Sequence, residues 1–546
     1  MLKIQFKMNV KLISIILISF TILTINSGKW GVTESSEARY AQISKEMVLN
    51  NDFIHPKLLD VYHYHKPPVT YWITTLGYKL FGINEFGARF FLQVAIILQL
   101  ALVYGISLLL FNDKKLSLVA ICIYFSLPIV IISSRNLTTD AYLCTFILAS
   151  IFSWLRFKIK NRTIWIYLFY ILLGIAFEIK GPICLVFILT FISLYKIITK
   201  EKLVISKHHI IGFLMFLFIS AFWYILVAYE NPKLLDYFIN KQVINRVTSN
   251  SFHRGKPFWY YLAMIPLLGA PWIFILFFHY KKKNKKNISS KPKELLLIST
   301  ACIIILIFSI FKTKLILYIL PVFSFLAIAS AKILTEASIT HLKVYNRILI
   351  ILITIIPFSI LLISFMDIGF NFSKQYAIIL LFSTFLVIAL IQKTKIKTAY
   401  NKTAYLSFLF GIILIMSGNE FLSRNQSQLN SFKDVTIFIN NLNDVEKIVV
   451  YDYLIPSAAY YTNKNIITLN NGRDTVNRET QFEENFNWQD HLINIQTDIG
   501  KNQAQAILSS NAVLVARNKN HSPEDLINLS KVFKNKKSFK NWIIFY

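Results

Sequence analysis

The sequence predicts a polytopic α-helical membrane protein with about thirteen transmembrane helices and a small α/β domain at its carboxyl end. Of the 546 residues, 55% are hydrophobic, and the mean hydropathy of +0.52 is far above that of soluble proteins. Apolar runs long enough to cross a bilayer recur up to about residue 418. Beyond that point hydropathy falls, and short β-type runs alternate with polar stretches.

A transmembrane helix needs about 20 mostly apolar residues. The runs that meet this requirement lie near residues 10–26, 90–111, 116–132, 140–155, 163–178, 181–197, 209–229, 258–280, 294–311, 314–331, 348–366, 376–392 and 402–418. The first run resembles a signal peptide, but "TINSGKW" is a poor cleavage site, so an uncleaved span is expected.

Charge in the loops predicts the orientation of the chain. The formal net charge is +30, and Lys and Arg are concentrated in alternate loops such as "RFKIKNR" and "YKKKNKKNISSKPK". Basic loops stay in the cytoplasm, so the amino terminus is expected inside and the carboxyl-terminal tail outside. The same rule explains the positive charge without nucleic acid, which is not expected as a partner.

The tail predicts a separate α/β domain. "KIVVYDY", "NIITL", "AVLVAR" and "WIIFY" are typical of strands, and "DVTIFINNL" and "PEDLINLSKVF" of helices. We therefore expect a transmembrane domain over residues 1–418 and an extracytoplasmic α/β domain over 419–546, which is more consistent with a scaffold or acceptor-handling cap than with a catalytic unit.

The first external loop, residues 27–89, contains two helical patterns. "SEARYAQISKEMV" places Ala38, Ile43 and Met47 near one side of a helix, with Glu37 and other charged residues facing elsewhere. Pro67 and Pro68 introduce a second run, whose aromatic residues suit the level of the lipid headgroups. We expect the two helices to lie along the outer surface, with their polar faces bordering a cavity.

Ionisable side chains at membrane depth are costly and indicate functional sites. By the predicted topology the outer side holds Glu34, Glu37, Arg39, Lys66, Arg135, Asp140, Glu178, Lys180, Arg246, Arg254, Lys312, Lys314 and Tyr318. Fixed cations and a tyrosine suit a phosphate, and carboxylates suit general base catalysis. A single Lys or Arg of this kind is often only a snorkelling anchor, and a transporter would also keep buried charges.

A metal site is a weaker hypothesis. His55, His63 and His65 could ligate a metal, although "HYH" in a loop is more often polar surface. The four cysteines lie in apolar runs without the spacing of a zinc site.

The motifs of this loop resemble a known family. "SEARYAQISKEMVLNNDFIHPKLLDVYHYHKPPVTYW", "FGINEFGARF", "SRNLTTDAYL", "GIAFEIKGP", "HRGKPFWYY" and "TKLILYILP" follow one another in order over roughly residues 30–325. They resemble the lipid A aminoarabinose transferase and protein O-mannosyltransferase family of GT-C glycosyltransferases, which use polyprenyl-phosphate-linked sugars. The family pattern is roughly D-E-x-R-Y, G-D-W, E-K-P-P and F-G-x-x-E-x-x-A-R.

The resemblance implies roles for individual residues. Lys66, Arg254 and Tyr318 match the ligands of the donor phosphate, with Arg246 close to Arg254 in sequence. Arg39 matches the arginine of the first motif, and Asp140 matches an important acidic position in the second external loop. Lys180 lies in the matched motif "FEIKGP".

Two departures from the family pattern matter. The aspartate of the first motif is Ser36 here, so Glu37 is the expected base, with Glu34 as second choice and Asp140 as a further carboxylate. The glutamate before Lys-Pro-Pro is His65, at a position linked to a divalent metal in relatives. No cofactor is strictly required, and a divalent metal held by His65 stays open.

The resemblance implies a function at the outer face of the bacterial inner membrane. The expected reaction moves a sugar, with inversion, from a polyprenyl-phosphate carrier to an acceptor hydroxyl or phosphate, for example 4-amino-4-deoxy-arabinose to lipid A. Mannosyl or hexosyl transfer to a protein or surface glycan is the alternative acceptor chemistry. A lipid-linked sugar transporter or flippase is the alternative from another class.

Overall fold

The computed structural model describes residues 10–202, 204–244, 255–276, 292–393, 398–473, 480–483, 487–518 and 523–546. The chain divides into two compact units. We call the first the membrane unit; it consists of Met1–Ser27, Phe90–Ile225 and Asp236–Arg424. We call the second the loop–tail unit; it consists of Gly28–Arg89, Leu226–Leu235 and Asn425–Tyr546.

Helices make up most of the chain. The first ten are α1 (Val10–Thr24), α2 (Ser36–Asn50), α3 (Val69–Phe81), α4 (Glu85–Phe111), α5 (Lys114–Phe125), α6 (Pro128–Arg135), α7 (Thr139–Lys160), α8 (Ile164–Lys180), α9 (Ile183–Thr199) and α10 (Lys207–Glu230). Further helices up to the end of the membrane unit are Lys233–Asp236, the π-helix Tyr237–Ile244, Tyr260–Leu268, Pro292–Ile310, the 3-10 helix Ile316–Ile319, Leu320–Glu336, Ile339–Ile363, Lys374–Lys393 and Ala399–Arg424.

The predicted spans are confirmed as helices, but not all as full spans. Within the described residues, eight helices are long and apolar enough to cross a membrane, and α5 with α6 gives a ninth. The difference from thirteen arises at α1, α8 and α9, which have 15, 17 and 17 residues, and at the predicted span 258–280, whose residues 277–280 lie outside the described part of the chain. The pair α8 and α9 is separate, as the predicted spans 163–178 and 181–197 required.

The predicted span 116–132 is broken rather than continuous. Helices α5 and α6 meet at a bend of 58°. Pro128 is the first residue of α6, and Leu127 before it is extended. A proline donates no backbone hydrogen bond and disfavours helical geometry in the residue before it, so one straight helix cannot pass through this point.

The tail forms an open α/β sheet, and all four predicted strands are confirmed. Its order is β5-β4-β3-β6-β8-β7, with β3 (Lys447–Tyr451), β4 (Asn465–Asn470), β5 (Leu492–Asn494), β6 (Ala512–Arg517), β7 (Lys536–Ser538) and β8 (Trp542–Phe545). Strands β3 to β6 are mutually parallel, and β8 runs antiparallel to both β6 and β7.

Helices cover the sheet of the tail. They are Lys433–Asn440, Pro456–Tyr461, Asp498–Leu508 and Glu524–Ser530, and short 3-10 turns lie at Gln426–Gln428, Thr480–Phe482 and Asn487–Asp490. Alternate residues of β3 enter two apolar clusters: Val449 and Tyr451 in one, Ile448 and Val450 in the other. Burial on both faces explains why these strands read as continuous hydrophobic runs.

The loop over residues 27–89, which is predicted to be external, folds together with the tail. Besides α2 and α3 it contains a two-stranded antiparallel ribbon, β1 (Lys57–Leu58) and β2 (Val61–Tyr62). The prediction that the charged side of α2 borders a cavity is wrong for Glu37, Lys45 and Glu46, which are all buried. The tail covers this side of α2: the Lys45 Nζ donates to the backbone carbonyl oxygens of Ala459 and Tyr460.

Candidate active site

A cluster of three predicted site residues lies in the membrane unit. Asp140 is in the first turn of α7, and Lys180 is in the last turn of α8. These positions favour a negative charge at the helix start and a positive charge at the helix end. The two side chains form an ion pair in which both are less than 10% exposed. The structure therefore brings Asp140 and Lys180 together.

Tyr318 completes this cluster. It lies in the 3-10 turn Ile316–Ile319, just before the helix Leu320–Glu336. The Lys180 Nζ lies 4.1 Å from the centroid of the Tyr318 ring, within cation–π range. The Tyr318 ring also contacts Phe308, at 6.5 Å between ring centroids. Among the described residues, the Tyr318 hydroxyl has no hydrogen-bond partner, and the residue is half-buried.

A short backbone strap holds the segment before Tyr318. Gly255 and Thr313 form an antiparallel bridge. The Lys314 Nζ donates to the carbonyl oxygens of Lys256, at 3.0 Å, and Phe311. The Tyr261 hydroxyl donates to the Leu315 carbonyl oxygen at 3.0 Å. Lys314 is thus a structural cation.

Two predicted site residues belong to the part of the sequence next to this strap. Arg246 and Arg254 lie outside the described residues. Their assignment to the donor phosphate stays a prediction.

Glu37 takes part in a buried network of the loop–tail unit. Its Oε1 accepts a hydrogen bond from Arg89 Nε at 2.7 Å, and its Oε2 accepts from the backbone N–H and the hydroxyl of Thr33 at 3.0 Å each. Arg89 also donates to the carbonyl oxygens of Trp30 and Gly31, at 2.8 and 3.0 Å. Both side chains are at most 1% exposed. This is the geometry of a structural ion pair.

Arg89 was not singled out as a site residue from the sequence, although it is the arginine of "FGARF". Its guanidinium also stacks on the indole of Trp30, at 4.6 Å from the ring centroid. Its place in the quoted motif "FGINEFGARF" is the signal that could have marked it as a family residue.

The Glu34 side chain contacts the start of the tail helix Pro456–Tyr461. Its Oε1 accepts from the backbone N–H of Ser457 at 2.7 Å. Burial raises the pKa of the Glu34 carboxyl to about 7, although the Ser457 hydrogen bond and the charge of Arg39 oppose the rise. Its Oε2 accepts no hydrogen bond from the described residues. Ser36, which replaces the family aspartate, is the first residue of α2.

The Lys-Pro-Pro motif lies between β2 and α3. His63 and His65 are buried, and their rings are in edge contact at 4.3 Å between centroids. Lys66 is half-buried and directly precedes Pro67. In the described part of the chain no group of three or more His, Cys, Asp or Glu side chains is arranged to hold a metal ion.

Comparisons with known proteins point in one direction. The sequence profile of the family described as "Dolichyl-phosphate-mannose-protein mannosyltransferase" matches residues 8–236. The undecaprenyl phosphate-alpha-4-amino-4-deoxy-L-arabinose arabinosyl transferase of Wigglesworthia glossinidia brevipalpis is 29% identical over 66% of this chain and 64% of its own length. The enzyme of Proteus mirabilis with this name (transferase 2) is 29% identical over 44% of this chain and 45% of its own. The chain thus spans about half to two thirds of these curated relatives.

The solved structures agree on the fold. The crystal structure of ArnT from Cupriavidus metallidurans bound to undecaprenyl phosphate superposes with a TM-score of 0.79 over 98% of this chain and 97% of that one, at 17% identity. Its apo state gives 0.78 at 16% identity. The GT-C membrane fold and the tail domain are therefore shared over the full length of that protein.

Proposed function

Because the chain belongs to the family of GT-C glycosyltransferases that includes the lipid A aminoarabinose transferases and the protein O-mannosyltransferases, we propose that it transfers a sugar from a polyprenyl-phosphate carrier. The acceptor is a hydroxyl or phosphate at the outer face of the bacterial inner membrane. The observation that carries this proposal is the cluster of Asp140, Lys180 and Tyr318. It supplies a carboxylate, a fixed cation and an unengaged hydroxyl in one place.

The donor phosphate is assigned to Lys66, Arg254 and Tyr318. Fixed cations aimed at a leaving phosphate stabilise the negative charge that builds up there as the bond to the sugar breaks. The Tyr318 hydroxyl supports this assignment, because within the described residues it is not used by the protein. Lys180, which pairs with Asp140, adds a further positive charge beside the Tyr318 ring.

The base is assigned to Asp140, with Glu34 as the second candidate. In the reaction the acceptor O–H gives its proton to the carboxylate, and the oxygen forms a bond to the anomeric carbon. The bond from that carbon to the phosphate oxygen breaks, and polyprenyl phosphate leaves with the electron pair. A single displacement of this kind inverts the anomeric centre.

Glu37 receives a different role from the one its sequence position suggests. Both of its oxygens accept hydrogen bonds from buried partners, so a proton placed there would break the pair with Arg89. We assign Glu37 and Arg89 to holding the first motif in shape. Arg39, whose charge acts on Glu34, is assigned to the same motif.

A divalent metal is not needed in this scheme. His63 and His65 offer two neighbouring imidazoles, but the described residues supply no third ligand to complete a site. The described residues therefore do not form a complete metal site, and no step is derived through a metal.

The sugar, the acceptor and the orientation rest on the relatives and on the loops. The curated names point to 4-amino-4-deoxy-L-arabinose on undecaprenyl phosphate, with lipid A as the acceptor that the family suggests. Hexosyl or mannosyl transfer to a protein or glycan is the second candidate, supported by the matched family profile. The basic loops favour a cytoplasmic amino terminus and a periplasmic tail.

Release of the carrier tests the proposal. Purified protein in lipid nanodiscs is given a polyprenyl-phospho-sugar and lipid A, and free polyprenyl phosphate is measured. The Asp140→Asn variant is expected to lose activity by roughly a hundredfold or more. The matched control is Asp113→Asn: Asp113 caps α5 through the backbone N–H groups of Lys115 and Leu116, which an asparagine also caps.

The same assay separates an enzyme from a transporter. A flippase would move the sugar lipid across the bilayer of a vesicle without releasing polyprenyl phosphate. That result with wild-type protein would overturn the proposal. Mass spectrometry of lipid A from cells with and without the gene identifies the sugar and acceptor.

A further inference from the structure

Glu178 is a buried carboxyl group that the proposed reaction does not use. It lies in the last turn of α8 and is 4% exposed. Neither of its oxygens has a hydrogen-bond partner that meets ordinary geometry. The backbone N–H of Trp223 in α10 lies close enough to act on the carboxyl group. A buried carboxyl without a partner is costly, so its presence calls for a ligand or another compensation.

Glu178 and Lys180 leave α8 on different faces. Residues two apart in a helix do not face each other. Lys180 is paired with Asp140 of α7, whereas Glu178 faces α10. Along the helix axis the two are only roughly 3 Å apart. Glu178 therefore lies at the same end of α8 as the Asp140–Lys180–Tyr318 cluster.

Aromatic rings of α8, α10 and the π-helix cluster near this end of α8. Phe177, the neighbour of Glu178, lies 5.9 Å from Tyr224 between ring centroids. Trp223 and Tyr224 each contact Phe238 of the π-helix, at 5.7 and 4.9 Å. Aromatic faces and a carboxylate are the groups that recognise an ammonium ion, and both are present at this end of α8.

We propose that Glu178, beside the aromatic rings of Phe177, Trp223, Tyr224 and Phe238, binds the amino group of an amino-sugar donor. This inference rests on the proposed function, because it concerns which sugar the same enzyme selects. The bound ammonium ion donates charge-assisted hydrogen bonds to the Glu178 carboxylate. A neutral sugar has a hydroxyl at the same carbon, and its hydrogen bond to the carboxylate is weaker. Glu178 is thus a specificity residue, and it makes no covalent bond.

Donor selectivity tests the assignment. The ratio of kcat/KM for an amino-sugar donor to that for the matching neutral-sugar donor is measured in wild type and in Glu178→Gln. Loss of a hydrogen bond to a charged group predicts a fall in this ratio of about tenfold to a hundredfold, carried mostly by KM. An unchanged ratio would overturn the inference.

A matched control separates selectivity from folding. Glu420 is also a buried carboxylate of the membrane unit, but it accepts hydrogen bonds from the Ser373 N–H and from Arg424. Glu420→Gln is expected to lower thermal stability and keep the wild-type donor ratio. Glu178→Gln is expected to keep the wild-type stability, because it loses no hydrogen bond of ordinary geometry within the protein, and to lower the donor ratio. A fall in stability without a change in ratio would make Glu178 a structural residue.

A binding measurement does not depend on turnover. Hydrophobic carbodiimides modify carboxyl groups in apolar surroundings, and the modified residue is found by mass spectrometry. The amino-sugar donor is expected to protect Glu178, and the neutral-sugar donor to protect it much less. Protection without release of polyprenyl phosphate would support the amine site while refuting the proposed transfer. Equal protection by both donors would contradict the amine site.

Discussion

Two buried ion pairs, one in each unit, make an instructive comparison. Glu37–Arg89 in the loop–tail unit and Asp140–Lys180 in the membrane unit each join a predicted catalytic carboxylate to a cation. In the first pair, both carboxylate oxygens and three guanidinium nitrogens are engaged. In the second pair, the structure gives one hydrogen bond and one aromatic ring.

The difference lies in how much hydrogen-bonding capacity remains. A fully satisfied buried network is rigid and specifies one conformation, whereas a partly satisfied one still has donors and acceptors to offer. The Asp140–Lys180 pair therefore suits a ligand, and the Glu37–Arg89 pair suits a scaffold. Sequence alone does not separate the two pairs, since each consists of a carboxylate and a cationic side chain from family motifs.

The largest effect is expected on breaking the saturated pair. Arg89→Met leaves Glu37 as an unpaired buried charge, and loss of one partner of such a pair costs about 3–5 kcal/mol. We expect the loop–tail unit to unfold at a much lower temperature, measured by thermal unfolding and limited proteolysis in nanodiscs. Lys180→Met, in the unsaturated pair, is the control, for which loss of activity should exceed loss of stability.

The isosteric variant of the carboxylate decides between scaffold and base. Glu37→Gln keeps the shape of the side chain but removes its charge. We expect this variant to lower the unfolding temperature, as Arg89→Met does. A Glu37→Gln protein with wild-type stability and no transfer activity would return the role of base to Glu37.

The second prediction concerns pH and also belongs to the loop–tail unit. Glu46 is buried, accepts hydrogen bonds from Gln42, Leu59 and Asp60, and has its pKa raised by burial from 4.5 to about 7. Between these values the unfolded chain loses the proton while the folded chain keeps it. The free energy of unfolding should therefore fall as pH rises from 4.5 to 7, by up to about 3 kcal/mol from this group.

Substitution isolates the contribution of Glu46. In Glu46→Gln the fall in unfolding temperature between pH 5 and pH 7.5 should become shallower than in wild type. Glu524→Gln, at an exposed position in a tail helix, is the control that should keep the wild-type slope. An identical slope in wild type and Glu46→Gln would show that Glu46 keeps its ordinary pKa in the folded protein.

Much of the fold was predictable because apolar length and periodicity carry it. Each predicted apolar run overlaps a helix, and strands β3, β4, β6 and β8 overlap the predicted β-type runs. The missed elements are short or polar, as with β7, whose three residues are all exposed. Local pattern is weak in such segments, since their position depends on pairing with β8.

The site was predictable only in part. The resemblance pointed to Asp140, Lys180 and Tyr318, which come from motifs far apart in sequence and meet in the structure. Burial of α2 on both sides could not be read from its amphipathic pattern, because the covering helix Pro456–Tyr461 is more than 400 residues away. Saturation of Glu37 depends on Arg89 and Thr33 together, and no single spacing encodes that.

The smallest expected effect comes from two tyrosines that differ in one respect. The Tyr461 hydroxyl, in the loop–tail unit, accepts from the Val32 N–H at 2.7 Å and donates to Glu85 at 3.1 Å. Within the described residues Tyr318 has no such partner. Tyr318→Phe should reduce kcat/KM roughly tenfold, or by about 1.4 kcal/mol, without a change in unfolding temperature.

Tyr461→Phe should give the opposite pattern. It leaves the buried Val32 N–H unpaired, which costs about 1 kcal/mol or more of stability, while the chemistry is kept. The two variants are compared by carrier release and by thermal unfolding in the same nanodiscs. If Tyr318→Phe instead destabilised the protein and kept its activity, the Tyr318 hydroxyl would have a structural role. The Asp140–Lys180–Tyr318 cluster would then not differ from the Glu37–Arg89 network in its remaining hydrogen-bonding capacity.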